Sequence, residues 1–159
     1  MPAQILLLRH GEKPEAASDP GLSPKGQIRA AALAIYLPAA FGRPSHLFAT
    51  RQSPESDRPA QTLKPLSAAL GIALDTRFEN SQFKDLAREF LADPRYQGAR
   101  IVVCWHHHEI PDFAKALDVK DAPDHWDDNV FDRIWQIDYG LGHPKLSKVH
   151  QKLLFGDSD

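Results

Sequence analysis

Near its N-terminus the chain reads Ile5-Leu6-Leu7-Leu8-Arg9-His10-Gly11-Glu12-Lys13-Pro14, and this segment guides the interpretation of the rest. Its four consecutive apolar residues, bounded by polar chain, are typical of a strand buried on both faces, as in a parallel sheet covered by helices. The apolar run ends at Arg9 and His10. Because ligands of open α/β sheets bind beyond the carboxyl ends of the strands, a guanidinium and an imidazole at this point indicate a site for an anion.

Segments with strand and helix patterns alternate along the remaining chain. Further strands are predicted over 46–50, 72–75, 101–105 and 131–137. Helices are predicted to begin near Ser23, Ser56 and Asn80 and to cover 111–117. This alternation predicts one α/β domain over residues 1–159, a three-layer sandwich with a mostly parallel central sheet and helices on both faces.

Two further expectations concern packing. The apolar face of the first helix is expected to consist of Ile28, Ala31, Ala32, Ile35 and Tyr36. The segment from His143 onward is expected to dock on the body of the domain through its apolar residues, Leu153, Leu154 and Phe155.

The composition excludes several classes of partner. With a formal net charge of −2, the chain lacks the basic field on which nucleic-acid binding rests. No apolar stretch approaches the roughly 20 residues needed to span a bilayer, and the N-terminus lacks the basic region and cleavage site of a signal peptide. The single cysteine, Cys104, fits a reducing compartment. We therefore expect a soluble, cytoplasmic protein with neither nucleic-acid nor membrane partners.

Two later segments add groups suited to phosphate. Arg58 and Thr62 lie four apart in the second predicted helix and therefore share a face, and three histidines at 106–108 follow the fourth predicted strand. Phosphoryl transfer needs cations around the phosphate oxygens and an in-line nucleophile. The three histidines are also potential metal ligands, but consecutive strand residues point to alternate faces and no Asp or Cys lies at a familiar ligand spacing. We expect no metal and no cofactor.

The Arg9-His10-Gly11-Glu12 signature after an N-terminal strand resembles that of the histidine phosphatase superfamily, the phosphoglycerate mutase-like proteins. Three later segments match the family pattern in chain order: 21–27, 56–62 and 104–111. In the second of them Pro59 stands where the family usually has Ala. The short chain, without the insertion that carries the general acid in larger members, resembles the phosphohistidine phosphatase type. The resemblance implies the phosphoglycerate mutase-like fold.

In this family the signature His is phosphorylated and two Arg residues bind the phosphoryl group, which implies a catalytic His10 and phosphate-binding Arg9 and Arg58. The second histidine of the site is open to two alignments. The broad family pattern selects His106. The pattern Cys-Trp-x-His-x-x-Ile-Pro, found in a subgroup of short bacterial, plant and fungal members, selects His107. We assign the catalytic role to His107 and a phosphate contact to His106, because the subgroup resemblance extends to a terminal Leu-Leu-x-Gly-Asp motif.

The resemblance implies a phosphomonoester hydrolase that acts through a covalent phosphohistidine at His10 on a phosphoprotein or a small phosphorylated metabolite. Glu12 is the first candidate for the general acid, with Glu79, Glu109, Asp112 and a histidine of the trio as alternatives. Two other functions stay open. One is a phosphomutase of the same family, and the other is a non-catalytic phosphate-binding regulatory module, which the lack of a convincing general acid favours.

Overall fold

The computed structural model describes residues 1–140 and 142–159. Its helices are α1 (Pro24–Phe41), α2 (Arg58–Leu70), α3 (Phe83–Ala92) and α4 (Ile110–Ala116). Its strands are β1 (Gln4–Arg9), β2 (His46–Ala49), β3 (Leu74–Asp75), β4 (Arg100–Trp105), β5 (Arg133–Asp138) and β6 (Lys145–His150). None of the described helices is both long and apolar enough to cross a membrane.

The strands form one sheet with the order β3-β2-β4-β1-β5-β6. The strands β1 to β4 pair in parallel, whereas β5 is antiparallel to β1 and β6 is antiparallel to β5. One face of the sheet packs against α3 and α4, and the other face packs against α1 and α2. The predicted three-layer α/β architecture with a mostly parallel sheet is confirmed.

The central position of β1 explains its continuous apolar run. Ile5 and Leu7 join the core on the α3 and α4 side, and Leu6 and Leu8 join the core on the α1 and α2 side. All four side chains are at most 3% exposed. Because successive residues of a strand point to opposite faces, a strand covered on both faces needs apolar residues at every position.

The buried face of α1 differs from the expected one. Ile28 and Ile35 are 59% and 76% exposed, and the helix instead buries Leu33, Leu37 and the charged Arg29. Apolar residues occur on more than one side of this helix, so hydrophobic periodicity was compatible with more than one buried face.

A close backbone contact sets the rotation of α1. The Ser23 side chain caps the helix by accepting from the Gly26 N–H at 3.1 Å. Gly26 lies against the backbone of Glu12, where a Cβ would come within 2.6 Å of the Glu12 carbonyl oxygen. Since only glycine tolerates this approach, the Gly26 side of the helix must face the loop after β1, which also turns Leu33 inward.

The end of the chain contains a strand that the sequence did not predict. The strand β6 has no apolar run, and its residues are half-buried or exposed, as is usual at the edge of a sheet. Beyond it, Leu153 packs against the core on the α1 and α2 side as expected. Phe155 does not dock, because its side chain is fully exposed. The third strand, expected over 72–75, is also shorter than predicted.

Candidate active site

The carboxyl ends of β1 and β4 lie side by side at one edge of the sheet. Leu8 is in register with Cys104, and both side chains belong to the core on the α1 and α2 side. Two residues further along each strand, His10 and His106 therefore leave the sheet on that same face. Their ring centroids are 5.4 Å apart. Thr50, which follows β2, places its Oγ1 3.4 Å from Nε2 of His106.

His10 is 1% exposed, and a single hydrogen bond determines its tautomer. Its Nδ1 lies 2.7 Å from the carbonyl oxygen of Gly11. A carbonyl oxygen only accepts, so Nδ1 carries the proton and Nε2 keeps a free lone pair. Burial, with smaller contributions from His106, Arg9 and Arg58, lowers the pKa of His10 to about 2. At neutral pH His10 is therefore an uncharged imidazole with an available nucleophilic nitrogen.

Arg9 is 2% exposed and leaves β1 on the face opposite to His10. Its Nη1 donates to the carbonyl oxygens of Asp128 and Val130, and its guanidinium carbon lies 3.8 Å from the centroid of the Phe131 ring. Its Nε is buried and has no hydrogen-bond partner among the described residues. Burial lowers the pKa of Arg9 to about 10, so the group is charged at neutral pH. A buried guanidinium with an unpartnered N–H suits an anionic ligand.

Arg58 supplies a second guanidinium at the first residue of α2. Its Nη1 donates to the carbonyl oxygen of Asp19 at 3.0 Å, while its buried Nε also lacks a partner within 1–140 and 142–159. Together with burial, the charge of Arg58 lowers the pKa of both His10 and His106. The charge of Arg58 therefore acts on both imidazoles from a helix N-terminus, a position that itself favours anions.

Lys13 is a third cation of the site and was not among the residues predicted from the sequence. Burial, followed by the charges of Arg9 and Arg58, lowers the pKa of Lys13. Lys13 in turn contributes, after burial and Arg58, to lowering the pKa of His106 to about 4. Its position three residues after His10, in the same loop, is the sequence feature that could have identified Lys13 as a site residue. Besides burial, the charges of Arg9, Arg58 and Lys13 thus all lower the pKa of His106, and those of Arg9 and Arg58 also lower the pKa of His10.

The structure corrects the expected position of His107. Its Nε2 lies 2.9 Å from Asp128 Oδ1, and its ring centroid lies 3.9 Å from that of His108. His106, and not His107, contacts His10. Consecutive side chains alternate in direction at the end of a strand, so His107 leaves β4 on the opposite face from His106. The catalytic role of His107 and the phosphate contact of His106 both stay predictions.

The structure also argues against Glu12 as the general acid. Its Oε1 accepts from Nε and Nη2 of Arg29 at 2.9 and 2.7 Å, and its Oε2 accepts from Nε at 3.1 Å. Both oxygens of the carboxylate thus accept hydrogen bonds from a buried guanidinium, and neither has a proton to donate in this arrangement.

Two of the other carboxyl candidates form ion pairs of their own. Glu79 lies 3.2 Å from Arg51, and Asp112 lies 3.6 Å from Lys115. Glu109, the third candidate, directly precedes α4. These contacts support ordinary surface roles for Glu79 and Asp112, because exposed ion pairs of this kind are common.

His107, His108 and Asp128 form a group that offers three ligand atoms to a metal ion. One such atom from each residue lies within 4.8 Å of the others, and two imidazoles with a carboxylate are a familiar ligand set for Zn²⁺. Asp128 was not among the predicted site residues, because it lies far along the chain in an irregular acidic segment. The charge of Arg9, which with burial lowers the pKa of His107 to about 4, opposes the binding of a cation here. The expectation that no metal is needed stays a prediction.

The pH dependence of stability tests the burial of His10. Its pKa is about 2 in the folded protein and 6.5 in a model peptide, so the folded protein binds fewer protons between these values. The contribution of His10 to the free energy of unfolding is therefore greatest above pH 6.5 and falls as the pH drops below it. Between pH 7 and pH 5 we expect His10 alone to remove about 2 kcal/mol.

Urea unfolding of the wild type and of His10→Ala at both pH values measures this effect. The variant should lose about 2 kcal/mol less than the wild type over the same interval. Equal losses in the two proteins would show that His10 titrates as an exposed histidine does.

Comparison with known proteins identifies the fold. No protein-family model matches this chain, and no curated sequence is significantly similar to it. Among solved structures, the chain is similar to the protein histidine phosphatase SixA complexed with tungstate, with 15% identity, a TM-score of 0.66, and coverage of 93% of this chain and 97% of that one.

Two further structures show the same likeness. A mycobacterial glucosyl-3-phosphoglycerate phosphatase with inorganic phosphate is 16% identical, with a TM-score of 0.62 and coverage of 91% of this chain and 95% of that chain. A phosphoserine phosphatase mutant from Entamoeba histolytica, in complex with phosphoserine, is 15% identical, with a TM-score of 0.61 and coverage of 98% and 100%. At these identities the likeness establishes the fold, and the predicted phosphoglycerate mutase-like fold is confirmed.

Proposed function

We propose that this chain is a phosphatase that hydrolyses phosphomonoesters through a covalent phosphohistidine at His10, without a metal ion. The observation that carries the proposal is the environment of His10. An uncharged imidazole with a free Nε2 lies near the charged Arg9 and Arg58, each of which keeps a buried and unpartnered Nε. These groups are the nucleophile and the oxygen-binding cations that phosphoryl transfer requires. The fold shared with three phosphatases supports the same conclusion.

The proposed reaction has two steps. In the first, the lone pair of His10 Nε2 attacks phosphorus, the bond from phosphorus to the leaving oxygen breaks, and that oxygen takes up a proton. In the second, water attacks phosphorus and gives a proton to the group that protonated the leaving oxygen, the N–P bond breaks with its electron pair returning to His10 Nε2, and phosphate departs with the oxygen of the water. The hydrogen bond from Nδ1 to Gly11 stabilises the positive charge that develops on the imidazole in the first step.

Four side chains are proposed to bind the transferring phosphoryl group. Arg9 and Arg58 contribute their charged guanidinium groups, and His106 and Lys13 contribute an imidazole and an ammonium whose pKa values are both lowered by burial and by those two charges. Donors that are already in place stabilise the charge on the phosphoryl oxygens without reorganisation during the reaction.

His107 is proposed to protonate the leaving oxygen from Nδ1 of its protonated imidazole, in place of Glu12. Its Nε2–H is bonded to the carboxylate of Asp128, which stabilises the protonated imidazole. A phosphate dianion bound beside Arg9 raises the pKa of a neighbouring imidazole, because it favours the charged form. His107 thus keeps a catalytic role, although it lies on the other side of the strand end from His106.

The exposure of the site supports a substrate that projects its phosphate inward. His10 lies at the bottom of the site, Arg58 and His106 are partly exposed above it, and Lys13 is exposed. A phosphate on a protein side chain or on a small metabolite reaches His10 from this side, while the rest of the substrate stays near the surface. We propose a phosphorylated protein side chain as the first substrate class to test.

One observation favours a second candidate function, a non-catalytic phosphate-binding module. Glu12, the carboxyl group next to the nucleophile in sequence, is fully engaged with Arg29. A site that binds phosphate but cannot protonate a leaving group would bind phosphorylated partners without turnover.

Hydrolysis of p-nitrophenyl phosphate by the purified protein in EDTA separates these functions. We expect turnover that EDTA leaves unchanged, because the proposed nucleophile and cations all belong to the chain. Tight binding of vanadate without any turnover would support the binding module. Activity that EDTA abolishes and Zn²⁺ restores would support a metal centre at His107, His108 and Asp128.

The same assay distinguishes the three adjacent histidines. His106→Ala should reduce kcat about 10²-fold with any substrate, because a donor to the phosphoryl oxygens is lost. His107→Ala should impair alkyl phosphates more than p-nitrophenyl phosphate, since an alkoxide needs a proton to depart and a nitrophenolate does not. His108→Ala should act only through its packing on His107, and His143→Ala, which removes an exposed imidazole outside the trio, is the control that should behave as the wild type. If His107→Ala lowered the turnover of alkyl phosphates and of p-nitrophenyl phosphate by the same factor, His107 would not be the general acid.

A further inference from the structure

Arg29 is a buried cation that the proposed reaction does not use. It is 1% exposed, and its guanidinium joins the loop after the nucleophile to the C-terminal segment. Besides the bonds to Glu12, its Nη1 and Nη2 donate to Asp157 at 2.9 and 2.6 Å, and its Nη1 donates to Gln151 Oε1 at 2.8 Å. Every nitrogen of the guanidinium therefore has an acceptor, as a buried arginine requires.

The terminal Leu-Leu-x-Gly-Asp motif forms the acceptor for Arg29. The Asp157 Oδ2 atom also accepts from the backbone N–H groups of Leu153 and Leu154, at 3.0 and 3.1 Å. Gly156 has a φ of 91°, a left-handed conformation that favours glycine and closes this turn. The motif is thus a turn that presents one fixed carboxylate to a buried guanidinium.

The same segment reaches the other wall of the site through Gln151, which is 3% exposed. Its Nε2 donates to the carbonyl oxygens of Phe131 and Arg133, at 3.4 and 3.3 Å. The Phe131 ring lies under the guanidinium of Arg9, and its centroid is 6.1 Å from that of His10. Gln151 therefore links Arg29 to the aromatic ring against which Arg9 packs.

At its other end the network fixes the backbone two residues after the nucleophile. The carbonyl oxygen of Glu12 accepts from the Ser23 N–H at 2.9 Å, and its side chain is held by Arg29. Gly11, between Glu12 and His10, accepts the hydrogen bond that sets the tautomer of His10. A shift of Glu12 therefore moves the peptide that orients the nucleophile.

We propose that the segment 151–158 is a brace of the active site, in which Arg29 and Asp157 are positioning residues that hold the His10 loop and the Phe131 wall at the spacing needed for in-line attack. This inference rests on the proposed phosphatase function. Displacing a reacting atom by about 1 Å lowers a rate on the order of 10²-fold, so a brace of this kind has a measurable kinetic effect.

The test is Asp157→Asn in the full chain, assayed with p-nitrophenyl phosphate. Because the guanidinium groups of Arg9 and Arg58 are untouched, we expect KM to stay within about twofold while kcat falls about tenfold. Asp159→Asn, the same chemical change in an exposed residue, is the matched control and should leave both constants unchanged. An unchanged kcat per folded Asp157→Asn molecule, with the folded fraction taken from circular dichroism, would overturn the proposal.

Amide hydrogen exchange gives a second measurement that does not depend on turnover. A peptide covering residues 9–13 should exchange faster in Asp157→Asn than in the wild type and in Asp159→Asn, and equal rates would overturn the brace. If the wild type hydrolyses no phosphoester, the proposed function fails, and the exchange rates alone then test whether the segment positions the His10 loop.

If Asp157→Asn does not fold, Gln151→Met removes only the amide contacts. It should also lower kcat and speed exchange, and no change in either would overturn the proposal.

Discussion

Replacing His10 by Ala should reduce the hydrolysis of p-nitrophenyl phosphate by at least about 10³-fold, because the covalent route through Nε2 is lost. Arg9, Arg58 and His106 remain in the variant, so it should still bind vanadate or phosphate. Retained oxyanion binding with lost turnover is the expected combination. Circular dichroism and urea unfolding at pH 7 control for folding, since truncating a buried ring also removes packing contacts.

Trapping the intermediate tests the same residue in the wild type. The protein is mixed with substrate, quenched without acid because phosphohistidine is acid-labile, digested and examined by mass spectrometry. The phosphate should lie on the peptide that contains His10. A phosphate on His106 or His107, or on a serine, would contradict the assignment, because in the structure only His10 has an Nδ1–H that is fixed by a backbone carbonyl oxygen among the described residues.

The features that sequence predicted correctly depend on local patterns. The apolar run before Arg9 was enough to identify a central buried strand, because only a strand covered on both faces needs such continuity. The position of His10 at the strand end followed directly. Arg58 was placed at a helix start by the capping pattern around it, and the structure brings that helix start to the same edge of the sheet.

The features that sequence could not predict depend on contacts between distant segments. Which of two adjacent histidines faces His10 is decided by the register of β4 against β1, where Leu8 pairs with Cys104. No pattern within residues 101–111 contains that information. A slip of one residue would exchange His106 for His107, since side chains alternate between faces.

The ion pairs of Arg29 could not be predicted from the sequence either. Glu12 looked free to act as an acid, yet it is bound to Arg29, which periodicity had not placed on the buried face of α1. A buried arginine interrupts the apolar pattern of a helix face. From sequence alone such a residue is therefore predicted to be solvent-exposed, because arginines are rarely buried without partners. Those partners, Glu12 and Asp157, lie near opposite ends of the chain.

Arg58→Ala should lower kcat/KM for p-nitrophenyl phosphate about 10²-fold or more. Removing one partner of a buried charge pair costs about 2–5 kcal/mol, and in this variant the transferring phosphoryl group loses one of its two guanidinium donors. The loss should appear in kcat as well as in KM, because charge on the phosphoryl oxygens is redistributed during transfer. Vanadate binding should weaken in parallel.

The matched control is Arg51→Ala, which removes a guanidinium from the loop that follows β2. Arg51 is directed toward Glu79 and the carbonyl oxygen of Arg77, and its side chain is 53% exposed. We expect no more than about a twofold change in this control, since exposed ion pairs contribute little. Equal effects of the two substitutions would mean that Arg58 acts only through the general positive charge of this edge. Unchanged kinetics in Arg58→Ala would return Arg58 to the role suggested by its bond to Asp19, that of tying the loop before α1 to the start of α2.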